Sequence, residues 1–185
     1  MKNTLLLFKH FLKNPKEVGA IVPSSSFLTQ KIIKNIDFKN TKTIIELGPG
    51  LGAFTKAILK NARKDAHIYC IEVNKTFCAT LRKEINDERL SVINRRAENL
   101  SIILQEHKIK KAQCIVSGIP FLNLSNRQRK IILNAVKNSI DKQGIFILFQ
   151  YTRDLAELLS SYFKNVERTI VPLNIPPAFV YLCTS

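Results

Sequence analysis

TIIELGPGLGAFTKAILKNAR, residues 43–63, decides how this chain is built. Five residues rich in β-branched side chains run without a charge until Glu46, which reads as a buried strand over 43–47. Three glycines at alternate positions, Gly48, Gly50 and Gly52, follow at once and mark a sharp turn. From Ala53 to Arg63 the apolar residues recur at helical spacing. Strand, glycine turn, helix is the opening half of a βαβ unit.

Outward from that unit the same alternation continues. HIYCIEV (67–73) reads as a second strand, with a helix to about Ile85. LSVIN (90–94) is a third strand, followed by the helix ENLSIILQEH. QCIVSG (113–118) is a fourth, followed by SNRQRKIILNAVKNSI, a helix bounded by Gly144. GIFILFQY (144–151) is a fifth, followed by the helix RDLAELLSSYF. VERTIVPL and AFVYLCT close the chain as two β-rich runs joined through IPP, with no helix between them. Strands alternating with helices imply an α/β fold on a mainly parallel sheet, and the last two runs imply an antiparallel strand at its end. Residues 1–36 stand outside the alternation. They read as a helix over about 2–13, a turn, and a second helix capped by Ser25 or Ser26. The expected organisation is therefore a 1–36 segment followed by one compact unit over 37–185.

At 185 residues the chain fits a single core, and 45% apolar with 23% charged residues is the composition of a globular protein. The formal charge is +15, from 29 Lys+Arg against 14 Asp+Glu. That balance favours polyanions, either nucleic acid or an anionic membrane surface, unless it merely reflects a lysine-rich proteome. No apolar run is long enough to span a membrane, and the N-terminus is too short for a signal peptide. Cys70, Cys78, Cys114 and Cys183 form no C-x-x-C pair and no metal pattern, so reduced, buried thiols in the cytoplasm are expected, with no metal site.

The glycine turn is G-x-G-x-G, not the G-x-G-x-x-G of dinucleotide sites, and Glu46 stands two residues before it. An acid there suits a ligand with a cationic amine better than a pyrophosphate. Glu72 ends strand two about 20 residues on, where a carboxylate can accept both hydroxyls of a ribose. Glu46, Gly48, Pro49, Gly50, Gly52, Glu72, Val73, Ala97, Glu98 and Ser117 are therefore the expected contacts of S-adenosylmethionine, with Ala97–Glu98 near the adenine.

That loop resembles the class-I methyltransferases, a Rossmann-like fold with a seven-stranded sheet. Further strings narrow the resemblance: Asn14-Pro15 with Gly19-Ala20-Ile21 and Pro23-Ser24-Ser25; Ser117-Gly118-Ile119-Pro120; Phe149-Gln150 with Thr152; and Asn174-Ile175-Pro176-Pro177-Ala178. Together they are similar to the small bacterial phospholipid N-methyltransferases over nearly the whole chain. The resemblance implies methylation of the amine of phosphatidylethanolamine or of an aminolipid such as ornithine lipid. Where that family often runs Q-F-T-Y-G, this chain has Gln150-Tyr151-Thr152-Arg153-Asp154. The rRNA adenine dimethyltransferases are related, and carry Asn-Leu/Ile-Pro-Tyr/Phe after strand four to hold a flipped adenine. Here the segment is Gly118-Ile119-Pro120-Phe121, which keeps the ring and loses the amide. A buried base edge left unpaired costs roughly 1–3 kcal/mol. Those enzymes also grip RNA with a C-terminal helical domain that is not expected here. Nucleic acid is thus the alternative partner, with methylation at adenine N6, and a membrane phospholipid the leading one.

For the acceptor, Tyr151, Ser24, Ser25 and the Ser117 and Gly118 carbonyls are the candidates to take or orient a proton. Ile21, Pro23, Pro120 and Phe121 are expected to wall the chamber, and Arg153 or Arg168 to pair with a lipid phosphate. At about 100° per residue, Lys2, Lys9, Lys13 and Lys16 fall within roughly a 60° arc. Leu5, Leu7, Phe8, Phe11 and Leu12 cover much of the opposite side, and Leu6 lies on the lysine flank. This pattern fits either an interfacial helix on the inner face of the membrane or a helix packed on its own sheet. A monomer is expected.

Overall fold

A computed structural model describes residues 25–152 and 155–185. The expected helix over 2–13, together with Ile21, Pro23, Ser24 and Arg153, lies outside the described residues.

The strands are β1 (Thr43–Leu47), β2 (His67–Glu72), β3 (Leu90–Asn94), β4 (Ala112–Ser117), β5 (Ile140–Gln150), β6 (Asn165–Val171) and β7 (Ala178–Thr184). The helices are α1 (Ser26–Ile33), α2 (Ala53–Asn61), α3 (Lys75–Glu84), α4 (Leu100–Glu106), α5 (Asn126–Ser139) and α6 (Ala156–Ser160). The seven strands form one sheet in the order β3-β2-β1-β4-β5-β7-β6. β1 to β5 are parallel, and β7 runs antiparallel to both β5 and β6. The antiparallel end of the sheet lies where the two final β runs predict it.

Alternation along the strands divides the core between the two faces. Ile44, Cys114, Val116, Ile147 and Val180 face α1 and α2. Their neighbours Ile45, Ile115, Phe146, Leu148 and Tyr181 face α4, α5 and α6. Every one of these ten side chains is fully buried. Helix α1 forms behind Ser25, whose hydroxyl accepts from Leu28 N at 3.2 Å. Its Leu28 and Ile32, one turn apart, are wholly buried in the same core as Phe54. The described part of the N-terminal segment is thus a core element of the sheet domain. Helix α5 starts from a capping box between Ser125 and Gln128.

Two boundaries differ from the pattern. Strand β5 begins at Ile140, four residues before Gly144, which falls at a shift of register between Ala112 and Cys114 on β4. A Cβ on Gly144 would stand 2.7 Å from Ile140 Cγ1 and 3.0 Å from Gln113 O, so Gly144 marks this close approach and not a helix end. Among the described residues 155–163 of the helical pattern, helix α6 covers Ala156–Ser160. The four cysteines are free and buried, and burial pushes each thiol up, Cys183 to about 12, which leaves them protonated at neutral pH.

Candidate functional site

From β1 the chain crosses one way to β2 and β3, and the other way to β4. Between β1 and β4 the sheet therefore has its topological switch point, where α/β sheets open a crevice at the strand carboxyl ends. A cleft of about 930 Å³ lies there. One side is the glycine loop with the ends of β2 and β3, and the other is the turn after β4 with the end of β5.

On the first side, Gly48, Gly50 and Gly52 all adopt positive φ, at 71°, 56° and 82°. Gly50 faces open space, where a Cβ would meet nothing within 4 Å, while its N–H donates to Glu72 Oε2 at 3.1 Å. The other oxygen of Glu72 accepts from Asn74 N at 2.8 Å. A carboxylate at the end of one strand thus fixes the loop at the end of the next, and both line the cleft. Pro49, Val73, Ala97 and Glu98 line it too. Burial would raise the Glu98 carboxyl, but hydrogen bonds led by that of Arg96 hold it below its ordinary range. Gln128 adds a 3.1 Å bond to the same oxygen.

Three of the expected cofactor contacts, and Phe121 of the expected chamber wall, are not brought to the cleft wall. Gly52 lies under α3, its missing Cβ 2.5 Å from Leu81 Cδ2, so it answers to helix packing. Ser117 is fully buried and its hydroxyl accepts from Ile119 N at 3.2 Å. Phe121, expected in the chamber wall, is fully buried in the core with Ile132 and Leu133, because the turn Phe121–Asn123 rolls it beneath the sheet edge. Glu46 is fully buried behind the loop, where its Oε2 accepts from Thr55 Oγ1 at 2.7 Å and Cys70 Sγ at 3.3 Å. Its Oε1 has no hydrogen-bond partner among the described residues. Burial pushes this carboxyl up to about 7 against those two hydrogen bonds, and the Glu72 carboxylate pushes the same way.

The second side carries the residues expected to meet the acceptor. Gly118 and Pro120 line the cleft. Gly118 N donates to Leu47 O at 2.8 Å, and a Cβ at Gly118 would stand 2.7 Å from Gly48 O. The two loops are therefore closed on each other so tightly that position 118 admits no side chain while the backbone stays. Gln150 Nε2 ties this segment to β5 through Ile119 O at 2.9 Å. Arg129 grips the next turn by its carbonyls, Nε to Phe121 O and one terminal nitrogen to Leu122 O, both at 2.8 Å.

Aromatic rings form the rear wall. Phe54 meets Phe149 edge-on at 5.5 Å, and Phe149 meets Tyr151 at 5.7 Å. The Tyr151 hydroxyl is pushed up by burial, partly offset by a hydrogen bond shared with Asn174. Asn174 is itself 3% exposed; it accepts from Ser25 Oγ at 2.6 Å and donates to Pro176 O at 2.6 Å. Ser25, a candidate for the acceptor chemistry, is therefore a helix cap and a partner of Asn174, outside the cleft wall. Asn174 stands in a quoted motif yet has no predicted role, since its partners are 149 residues and 23 residues away in sequence. Arg95, Arg96 and the Lys56–Glu84 ion pair at 2.7 Å, all at the cleft, carry no motif. Arg168 lies over the Phe179 ring at 5.6 Å. His67 and His107 flank Tyr69 in a surface stack away from the cleft. Among the described residues no group of His, Cys, Asp and Glu is arranged to hold a metal ion.

Residues 9–159 match the family model for ribosomal RNA adenine dimethylase. An ornithine lipid N-methyltransferase of Singulisphaera acidiphila is 28% identical over 99% of this chain and 96% of its own length. A ribosomal RNA small subunit methyltransferase A of Mycoplasmopsis synoviae is also 28% identical, over 76% of this chain, which spans about half of that protein (51%). Among solved structures, precorrin-6y C5,15-methyltransferase of Geobacter metallireducens superposes with a TM-score of 0.64 over 85% of this chain and 87% of its own. At 12% identity that likeness speaks for the fold alone.

Proposed function

This chain belongs to the ribosomal RNA adenine dimethylase family of S-adenosylmethionine-dependent methyltransferases, and within it we propose that the acceptor is the amine of a membrane phospholipid or aminolipid. The observation that carries the proposal is the closure at Gly118. The relatives that hold an adenine do so with an Asn side chain at this point of the motif, and here a Cβ would already lie 2.7 Å from a backbone oxygen. The near end-to-end match to the ornithine lipid enzyme supports the same acceptor.

The cleft fits the cofactor. Open space over Gly50 admits a ligand against the backbone, the Glu72 carboxylate is placed to accept ribose hydroxyls, and Ala97 and Glu98 offer a wall for the adenine. The Glu46 carboxylate sits behind the loop with one oxygen unpartnered among the described residues, on the side where a cationic amine needs a counter-charge. When bound, S-adenosylmethionine supplies an electrophilic methyl on a sulfonium. The chain's own work is positioning and drying of the acceptor nitrogen. An ammonium headgroup must shed its proton to present a lone pair, and an apolar cleft walled by Phe54, Phe149 and Pro120 favours the neutral amine. Tyr151 keeps its own proton at neutral pH, so its oxygen orients the amine as a hydrogen-bond partner and is not the base. The released proton goes to water at the cleft mouth.

We assign the 1–13 segment the role of an interfacial helix that brings a monomer to the cytoplasmic face of an anionic membrane. No helix among the described residues is long and apolar enough to cross a membrane. The second reading, adenine N6 in rRNA, is favoured by the family match and the +15 charge. Incubation with labelled cofactor and, in parallel, phosphatidylethanolamine vesicles, ornithine lipid vesicles and bulk rRNA separates the two. Label in lipid is expected; label in RNA alone overturns the proposal. Glu72→Ala should weaken cofactor binding at least about tenfold, through loss of the ribose acceptor and of the Gly50 N–H bond, and leave vesicle binding unchanged.

A further inference from the structure

The turn between β6 and β7 reads Pro172-Leu173-Asn174-Ile175-Pro176-Pro177 and holds no charged residue. Exposed turns ordinarily draw on Gly, Asn, Asp and Ser. Here the one polar member, Asn174, is turned inward to Ser25 and Tyr151. The large apolar residues on either side of it are turned out, Leu173 62% and Ile175 64% exposed. Phe27, two residues beyond the Ser25 that binds Asn174, is 49% exposed. Single exposed apolar side chains are ordinary, but a turn that buries its amide and presents its aliphatics has its polarity inverted toward a partner.

Charge and position identify that partner. The segments that carry the patch, 25–36 and 168–185, contain Lys31, Lys34 and Arg168, and the nearest acids in sequence, Asp37 and Glu167, stand just beyond them. Aliphatic side chains among cations match the boundary of an anionic bilayer, where apolar groups enter the acyl edge and cations stay with the head groups. RNA would engage the cations but gain little from Leu and Ile, because bases stack on rings and guanidinium planes. Through Asn174 the turn is bonded to Tyr151, which lines the cleft, so the patch stands at the acceptor end.

We infer that the β6–β7 turn is a membrane wedge: Leu173 and Ile175 enter an anionic bilayer and hold the acceptor end of the cleft against the head groups. The wedge rests on the lipid reading for its purpose, but its binding is measured separately. Wild-type protein and L173S/I175S are sedimented with vesicles of phosphatidylglycerol and phosphatidylethanolamine. Methylation is followed in those vesicles and with detergent-dispersed short-chain phosphatidylethanolamine. The double variant should bind vesicles at least about tenfold more weakly, through loss of two aliphatic side chains from the acyl edge. Its vesicle methylation should fall in step, while the detergent-dispersed reaction stays within about twofold because neither residue lines the cleft.

The chain contains no tryptophan, so L173W is a lone reporter whose emission should shift to the blue when vesicles are added. Undiminished vesicle binding by L173S/I175S, absence of vesicle binding by the wild type, or unshifted L173W emission on sedimenting vesicles overturns the wedge. Wild-type protein that docks through the turn but labels only RNA overturns the lipid reading and leaves the wedge standing.

Discussion

Glu46 concentrates the chemistry of the site in one buried side chain. Its carboxyl titrates near 7 in the fold against 4.5 for the free group, with desolvation the main cause. Between those two values the folded state holds the proton more tightly than the unfolded chain, so stability falls as pH rises through that window. The shift corresponds to a contribution of about 3 kcal/mol, fully present below pH 4.5 and gone above pH 7. Glu46→Gln removes the titration and keeps the shape. Its urea midpoint should change less between pH 5 and pH 8 than that of the wild type, and an unchanged pH difference would mean Glu46 does not titrate in this range. A cationic amine beside the loop favours the ionised form, so cofactor should protect the wild type more at pH 8 than at pH 5. Gly118 poses the complementary test. Gly118→Asn restores the amide of the RNA-type motif but sets its Cβ against Gly48 O, and should lower cofactor affinity as well as turnover. Gain of rRNA methylation by this variant would show that the loop opens readily and that Gly118 does not select the acceptor.

At the scale of elements, the glycine loop, Glu72, all seven strands and the antiparallel end were legible, because period-two burial and positive-φ glycines are local signals. What escaped was set by topology. Gly144 looks like a helix stop, yet it is a glycine because β4 and the start of β5 crowd it. Phe121 belongs to a motif whose ring faces a base in relatives, yet the turn that carries it delivers the ring to the core. The strap between α1 and the β6–β7 turn was equally invisible, since Ser25 and Asn174, 149 residues apart in sequence, meet only when the fold sets α1 beside that turn. That strap is measurable. Ser25→Ala removes the α1 cap, worth about 1 kcal/mol, and leaves Asn174 Oδ1 short of its closest donor. Asn174→Ala removes the same bond and also the one that Asn174 shares with Tyr151. Because one hydrogen bond is shared, S25A/N174A should lose less than the summed single losses by about 0.5 kcal/mol or more in urea unfolding. Strict additivity would mean the strap does not couple the two elements. Asn174→Ala should also lower turnover at saturating substrate more than Ser25→Ala does, since only it removes a hydrogen-bond partner of the Tyr151 side chain.

For the whole molecule the question is whether a charge of +15 is a working surface or a compositional accident. Among the described residues Asp65, Glu84, Asp87, Glu98 and Glu106 are each paired with a Lys or Arg, so these acids are already spent within the fold. Each pair takes up a cation as well as an acid, so the excess cations remain. If they act through the proposed N-terminal helix and the β6–β7 turn together, two physically different contributions hold the protein to a bilayer. The electrostatic one is screened as the Debye length contracts from about 10 Å at 0.1 M salt to about 3 Å at 1 M, while burial of Leu173 and Ile175 is not. Vesicle binding should then fall with rising salt to a finite floor. Deleting residues 1–13, which carry Lys2, Lys9 and Lys13, should lower the whole curve and flatten its slope, with cofactor affinity unchanged. L173S/I175S should instead remove the floor and keep the slope. Vesicle binding that falls with salt to nothing would mean that charge alone holds the protein to the bilayer, and would remove the apolar half of the two-part contact.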